Sequence, residues 1–112
     1  MKKMLVLALT AGLLSSGAAM AAGDAAAGKT LFDNSCASCH GMQGQGQGMF
    51  PKLAGLAPAD TKAILTAFKA GDMATLQKRN LGGANYAIMQ PNAVSLSDQD
   101  MDNLAAYIST LK

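Results

Sequence analysis

The amino-acid sequence predicts a small all-α fold of three to five helices. Several segments begin with a helix cap and continue with apolar residues at helical spacing, and no segment alternates apolar and polar residues as a half-buried strand does. The 112 residues include three Phe, two Tyr and no Trp. A domain this short has a small core, so a large buried group would supply apolar contacts that its side chains lack.

Residues 1–21 have the pattern of a cleaved signal peptide. Lys2 and Lys3 are basic, residues 4–14 are apolar, and small residues occupy positions 19 and 21, which a signal peptidase reads. We expect cleavage after Ala21, which leaves residues 22–112 as a single domain. An uncleaved membrane anchor is the alternative, but the apolar run is too short to span a bilayer. We therefore expect no stable membrane insertion after cleavage.

The charge of the remaining domain argues against nucleic-acid binding. The chain has nine basic and seven acidic residues, and Lys2 and Lys3 are among the basic ones. Cleavage therefore leaves a domain that is close to neutral. Nucleic-acid binding needs a concentrated basic patch, whereas the Lys78-Arg79 pair is typical of a solvated surface.

The first predicted helix follows Asp24, whose side chain suits an N-cap, and ends near residue 34. Leu31 and Phe32 are its apolar contacts. Gly28 lies inside this helix, where glycine costs up to about 1 kcal/mol relative to alanine. Either the glycine is simply tolerated, or another element packs closely against its backbone.

The segment after this helix, Cys36-Ala37-Ser38-Cys39-His40, has the C-x-x-C-H spacing of c-type haem attachment. Each thiol forms a thioether with one haem vinyl group, and the histidine binds the iron. The motif predicts one covalent haem c, attached through Cys36 and Cys39 and ligated by His40. An exported chain with this motif suits the bacterial periplasm, where free thiols would otherwise be oxidised.

Two other uses of these cysteines are weaker hypotheses. A thioredoxin-like redox pair needs a preceding strand, but the residues before Cys36 are predicted to be helical. A structural zinc site needs four N or S ligands, and the chain has two Cys and one His.

The middle of the chain is predicted to contain a glycine-rich connector and one or two helices. Residues 41–48 have too many glycines for regular structure, and we expect a flexible connector there. Pro58 begins a helix that Gly71 ends, with residues 64, 65 and 68 on one face. Residues 72–81 are a candidate for a further short helix. Residues 85–94 are predicted to be irregular, because Pro91 opposes helix continuation.

The last helix has the clearest local signals. Ser97 caps it, Asp100 completes a capping box, and Leu96 can pack on Met101 across the cap. The helix then has an apolar stripe that buries one face. The stripe consists of Met101, Leu104, Ala105, Ile108 and Leu111.

A haem that carries electrons needs a second axial ligand, and with a single histidine in the chain methionine is the natural candidate. Met42 lies too close to His40, and Met101 belongs to the apolar stripe. Met49 and Met73 are within reach along the chain. We favour Met89, because its Pro-containing segment can return across the opposite face of the haem.

These residues resemble small bacterial class I cytochromes c, and in particular the single-haem type that is also similar to one half of periplasmic dihaem cytochromes c. The resemblance extends from residue 28 to the C-terminus. It rests on residues 28–32, the C-A-S-C-H-G run, residues 50–55, Met89 with Pro91, and residues 96–98 and 104–108.

The resemblance implies a class I cytochrome c fold, in which the N- and C-terminal helices cross and loops surround one haem. It implies that the Pro51 carbonyl accepts a hydrogen bond from the haem-ligating His40, that Leu53 packs on the haem and that Met89 is the axial methionine. Residues 72–86 depart from the family pattern, and Arg79, Asn85 and Tyr86 are the candidates there for binding the haem propionates.

Ligation by His and Met leaves no open iron position for a substrate, which favours a one-electron carrier over an enzyme. We therefore predict a monomeric periplasmic electron-transfer protein with transient redox protein partners in a respiratory chain. A haem enzyme or a gas-binding protein with a labile sixth ligand is the alternative. Peroxide chemistry would need a distal acid-base group, and no second histidine exists for that role.

Overall fold

The computed structural model describes residues 23–112, so the predicted signal peptide, residues 1–21, lies outside the described part. Six helices and no extended strand occur within residues 23–112, which confirms the all-α prediction. The helices are α1 (Ala25–Ser35), α2 (Ala37–His40), α3 (Pro58–Ala70), α4 (Met73–Lys78), α5 (Tyr86–Val94) and α6 (Asp98–Ile108). The sequence predicted three to five helices, and the additional ones are the single turn α2 and the helix α5.

Helices α1 and α6 pack against each other, as the resemblance implies. Their backbones meet at Gly28, where a Cβ atom would overlap the carbonyl group of Asn103. The rings of Phe32 and Tyr107 lie 5.4 Å apart, centroid to centroid, in the same contact. Close helix packing therefore explains the glycine that the sequence left with two interpretations.

The predicted helix ends are confirmed. Asp24 accepts hydrogen bonds from the amides of residues 26 and 27, and Ser97 and Asp100 form the capping box of α6. Helix α3 begins at Pro58 and is capped at its C-terminus by Gly71, whose φ of 69° is left-handed.

The prediction of an irregular segment around Pro91 is wrong, because this proline lies inside α5. Proline lacks one amide donor, and its ring disfavours helical geometry at the residue before it. Tertiary packing outweighs the unfavourable effect of Pro91 on the helix. The ring of Tyr86 stacks on Phe68 of α3 with centroids 6.0 Å apart, and Ala93 is fully buried at the other end of α5.

The glycine-rich segment 41–48 contains no helix or strand, as predicted, but it is a folded loop rather than the flexible connector that we expected. The amides of Leu53 and Ala54 donate to the Gly44 carbonyl at 2.8 and 3.0 Å, and the Gly46 amide donates to the His40 carbonyl at 2.8 Å. Gly44 is buried, with φ at 64°. These bonds fix the loop beside the C-x-x-C-H segment.

Buried apolar side chains form two clusters. The first is centred on Phe32, Met101 and Leu104, and the second on Phe68 and Leu76. Met89 of α5 packs against both clusters. A cavity large enough for a cofactor lies beside Met89.

Candidate functional site

One cavity of about 760 Å³ contains the site, with walls that are mainly apolar. Its volume falls in the range of about 300–1,000 Å³ that is usual for cofactor and ligand sites. All six predicted site residues line it: Cys36, Cys39, His40, Pro51, Leu53 and Met89. The fold therefore brings together residues that are separated by up to half of the chain.

The attachment motif is folded into the one-turn helix α2. The amides of Cys39 and His40 donate to the Cys36 carbonyl at 3.3 and 3.0 Å, which winds the segment into a turn beside the cavity. Both cysteines are half-buried free thiols. Two thiols and one imidazole thus share one apolar space, which is the donor set that covalent attachment of a haem requires.

The electrostatic environment of Cys36 disfavours a thiolate. Burial, together with a smaller contribution from the neighbouring Cys39, raises the pKa of its thiol to about 11. Thiol-disulfide oxidoreductases need a cysteine whose pKa is lowered. The environment of Cys36 therefore does not favour a thiol-disulfide enzyme.

The imidazole of His40 is buried and oriented. Its Nδ1 atom lies 2.9 Å from the Pro51 carbonyl oxygen, which can only accept, so Nδ1–H donates this hydrogen bond. The other ring nitrogen, Nε2, is then the one with a free lone pair. Phe50 packs edge-on to the imidazole with centroids 6.2 Å apart. The loop 49–51 therefore forms part of the wall that carries His40.

The five methionines after residue 21 have different environments. Met89 is half-buried and lines the cavity, whereas Met101 is 1% exposed in the core, as predicted, and Met73 packs against the second cluster. Met42 and Met49 are each 60% exposed. Met49 also lines the cavity, but it belongs to the loop 49–51 on the His40 side.

Polar side chains line the cavity at residues 79–85. Arg79 and Asn85 are present, in agreement with two of the three propionate candidates, and Asn80 joins them. Tyr86 does not line the cavity, because its ring stacks on Phe68. The sequence analysis missed Asn80, since no local pattern marks an asparagine as part of a distant site.

The cavity fits the group that the motif predicts. A haem is a flat, largely apolar macrocycle with two carboxylates at one edge. The apolar wall suits the macrocycle, and the guanidinium of Arg79 and the amide of Asn80 are donors that suit carboxylates, whereas the Asn85 amide donates to the Met49 carbonyl.

Comparison with known proteins agrees with the geometry. Residues 25–112 match the family model for cytochrome c. The chain is 72% identical to cytochrome c-554(547) of Halothiobacillus neapolitanus over 91 residues, which cover 81% of this chain and all of that protein. It is 38% identical to cytochrome c-554(548) of Halomonas halodenitrificans over 80% of this chain and 98% of that protein.

A longer relative matches in part. The whole chain is 37% identical to cytochrome c4 of Stutzerimonas stutzeri but spans 52% of its length, in keeping with the predicted resemblance to one half of a larger protein. The matched range contains the attachment motif, the loop with Pro51 and helix α5. By its sequence and its relatives, the chain belongs to the cytochrome c family.

Proposed function

We propose that this protein carries single electrons between respiratory partners in the periplasm, through a haem c whose iron is bound by His40 and Met89. Family membership establishes electron transfer through one covalent haem c. The haem supplies the one-electron couple of its iron. The observation that supports the ligand set is the single cavity that both residues line together with Cys36 and Cys39.

Each residue of the attachment segment has a separate task in this proposal. Cys36 and Cys39 hold the cofactor covalently, so it is not lost during repeated encounters. His40 binds the iron through Nε2, while its Nδ1–H bond to Pro51 fixes the ring and raises its basicity. Leu53 excludes water from the wall beside it.

The location of Met89 supports its role as the second ligand. A second iron ligand would be a cavity-lining side chain outside the segments that hold His40. Met49 lies two residues before Pro51, whose carbonyl is bonded to His40, whereas Met89 lies on α5, which packs on α3. With two protein ligands the iron has no free position for substrate, which supports a carrier rather than an enzyme.

We propose export to the periplasm with cleavage after Ala21. The relative from Halothiobacillus neapolitanus aligns over its full length with 91 residues of this chain, which is the length of residues 22–112. None of the helices within residues 23–112 has the length and apolar character needed to cross a bilayer.

Transient partners and a monomeric state are also part of the proposal. Several charged side chains within the described residues are paired with one another on the surface. Lys62 and Asp102 lie 2.8 Å apart, and Arg79 and Asp60 lie 3.4 Å apart. A surface with balanced charge favours brief encounters through the neighbourhood of the haem edge.

The test is a redox titration of the holoprotein, made with haem maturation machinery and followed by its absorption spectrum. We expect one reversible one-electron couple per chain and a ferrous form that does not bind carbon monoxide. Rapid carbon monoxide binding by the ferrous wild type would show a vacant or labile iron position, and would favour the haem enzyme or gas-binding alternative.

A further inference from the structure

A side-chain hydrogen bond joins the two walls of the cavity. Asn85 Nδ2 donates to the Met49 carbonyl oxygen at 2.8 Å, although the two residues are 36 positions apart. Both residues line the cavity. The bond therefore connects separate parts of its boundary.

One end of this bond lies on the wall that carries His40. Met49 is followed by Phe50, which packs edge-on to the imidazole, and by Pro51, whose carbonyl accepts from the imidazole at 2.9 Å. A shift of this loop would therefore change the contacts that orient the imidazole of His40.

The other end lies directly beside the proposed second ligand. The Asn85 carbonyl accepts from the Met89 amide at 3.0 Å, so the two residues are one helical turn apart at the start of α5. Ala93 at the far end and Tyr86 at the start both pack on the second cluster, so they hold α5 to α3 but not to the loop 49–51. The bond from Asn85 to Met49 is therefore a contact that joins this half of α5, including Met89, to the loop 49–51.

The side chain of Asn85 is not needed to cap its own helix. Asparagine at an N-cap usually accepts from an amide of the first turn, but Asn85 makes no such bond in α5. Its amide group instead reaches across to Met49.

The thioethers of Cys36 and Cys39 would attach the segment that contains His40 to the haem, whereas no covalent bond would attach α5 and Met89 to it. From these contacts we propose that Asn85 is a latch, a positioning residue that keeps Met89 within reach of the iron by joining α5 to the loop 49–51. This inference rests on the proposed axial role of Met89. Without the latch, the start of α5 moves away more readily and the sixth position opens to other ligands.

Imidazole is a suitable probe, because it binds ferric iron only when the methionine leaves. A neutral hydrogen bond contributes about 0.5–1.5 kcal/mol net, and this one is exposed to water. We expect half-displacement of the methionine at an imidazole concentration about 2- to 10-fold lower in Asn85→Ala than in the wild type. The readout is the weak sulfur-to-iron absorption band of the ferric holoprotein.

Two further variants separate the latch from general effects. Asn85→Asp keeps the shape but has no donor at neutral pH, so it should behave like Asn85→Ala. Asn34→Ala removes an exposed asparagine of α1 and should match the wild type. A merely structural role for Asn85 would lower the denaturation midpoint and leave imidazole displacement unchanged.

The outcomes distinguish this inference from the function on which it rests. If the band persists in Met89→Ala, the proposed ligand is wrong. If the band is lost in Met89→Ala but both Asn85 variants need as much imidazole as the wild type, the latch alone is overturned.

Discussion

Gly28 of α1 lies against the backbone of Asn103 in α6, so closely that a Cβ atom on the glycine would overlap the Asn103 carbonyl group. The same atom would be 3.0 Å from Cβ of Tyr107. Both neighbours belong to the rigid part of a helix and cannot move aside as the end of a flexible side chain can. The contact therefore sets the distance between α1 and α6.

Replacement of Gly28 by alanine should destabilise the holoprotein. Helix propensity alone would favour alanine by about 1 kcal/mol, but overpacking against a backbone typically costs about 1–3 kcal/mol. We expect a net loss of stability in denaturant unfolding. The matched control is Ala27→Gly, at an exposed position of the same helix, which measures the propensity difference by itself. A gain in stability for Gly28→Ala would contradict the packing explanation.

Substitution of both Cys36 and Cys39 by alanine should abolish covalent haem. These are the only cysteines in the chain, so no other thiol can form a thioether. We expect the haem of the double variant to be extracted by acidified solvent, and each single variant to show a shifted pyridine haemochrome spectrum. Retention of covalent haem at the wild-type yield would refute the attachment sites.

The same double variant should lose cooperative unfolding. Without the cofactor, residues of both clusters face an open cavity of about 760 Å³, and a domain of this size has little other core to compensate. Far-UV circular dichroism during heating is the measurement. A sharp transition near that of the holoprotein would show that the polypeptide has a sufficient core of its own.

Met89→Ala should remove the sulfur-to-iron band of the ferric protein, open the ferrous iron to carbon monoxide and lower the reduction potential. The methionine sulfur of Met89 favours ferrous iron, and its loss removes that preference. Met49→Ala is the matched control, since Met49 lines the same cavity from the His40 side. Loss of the band in the Met49 variant together with its retention in the Met89 variant would reverse the assignment.

Electron transfer with a physiological redox partner should depend weakly on salt. Residues 22–112 carry equal numbers of basic and acidic side chains, and surface pairs such as Lys29 with Asp33, 2.6 Å apart, neutralise charge locally. The Debye length falls to about 10 Å at 0.1 M salt. We expect the second-order rate constant to fall by less than about tenfold between 10 mM and 0.5 M salt. A steeper fall would reveal a concentrated charged patch.

Local signals in the sequence were sufficient for most helix ends. Asp24, Gly71 and Ser97 act on amides or dihedral angles within their own turn, and the structure confirms each of them. The helix around Pro91 could not be predicted in this way. It depends on the burial of Ala93 and on the contact between Tyr86 and Phe68, which are known only after α3 and α5 are placed together.

In the candidate site, too, some features follow from the local sequence and others depend on tertiary contacts. The attachment motif is contiguous, so its spacing alone identified the cofactor. The sequence also favoured Met89 over Met49, which stays a prediction, and it named Arg79 and Asn85, but Asn80 was found only from the shape of the cavity. The hydrogen bond from Asn85 to Met49 joins residues 36 positions apart, and neither residue has a local signal for it.

The contact between α1 and α6 joins the two ends of the domain. Asn103 also accepts a hydrogen bond from the Asp24 amide across 79 positions. A contact of such long sequence separation requires the closure of a long loop, which has an entropic cost. In the proposed export, α1 therefore has no partner until α6 has also reached the periplasm. The two cysteines remain accessible throughout that interval, which gives a maturation enzyme time to act before the last helix closes the domain.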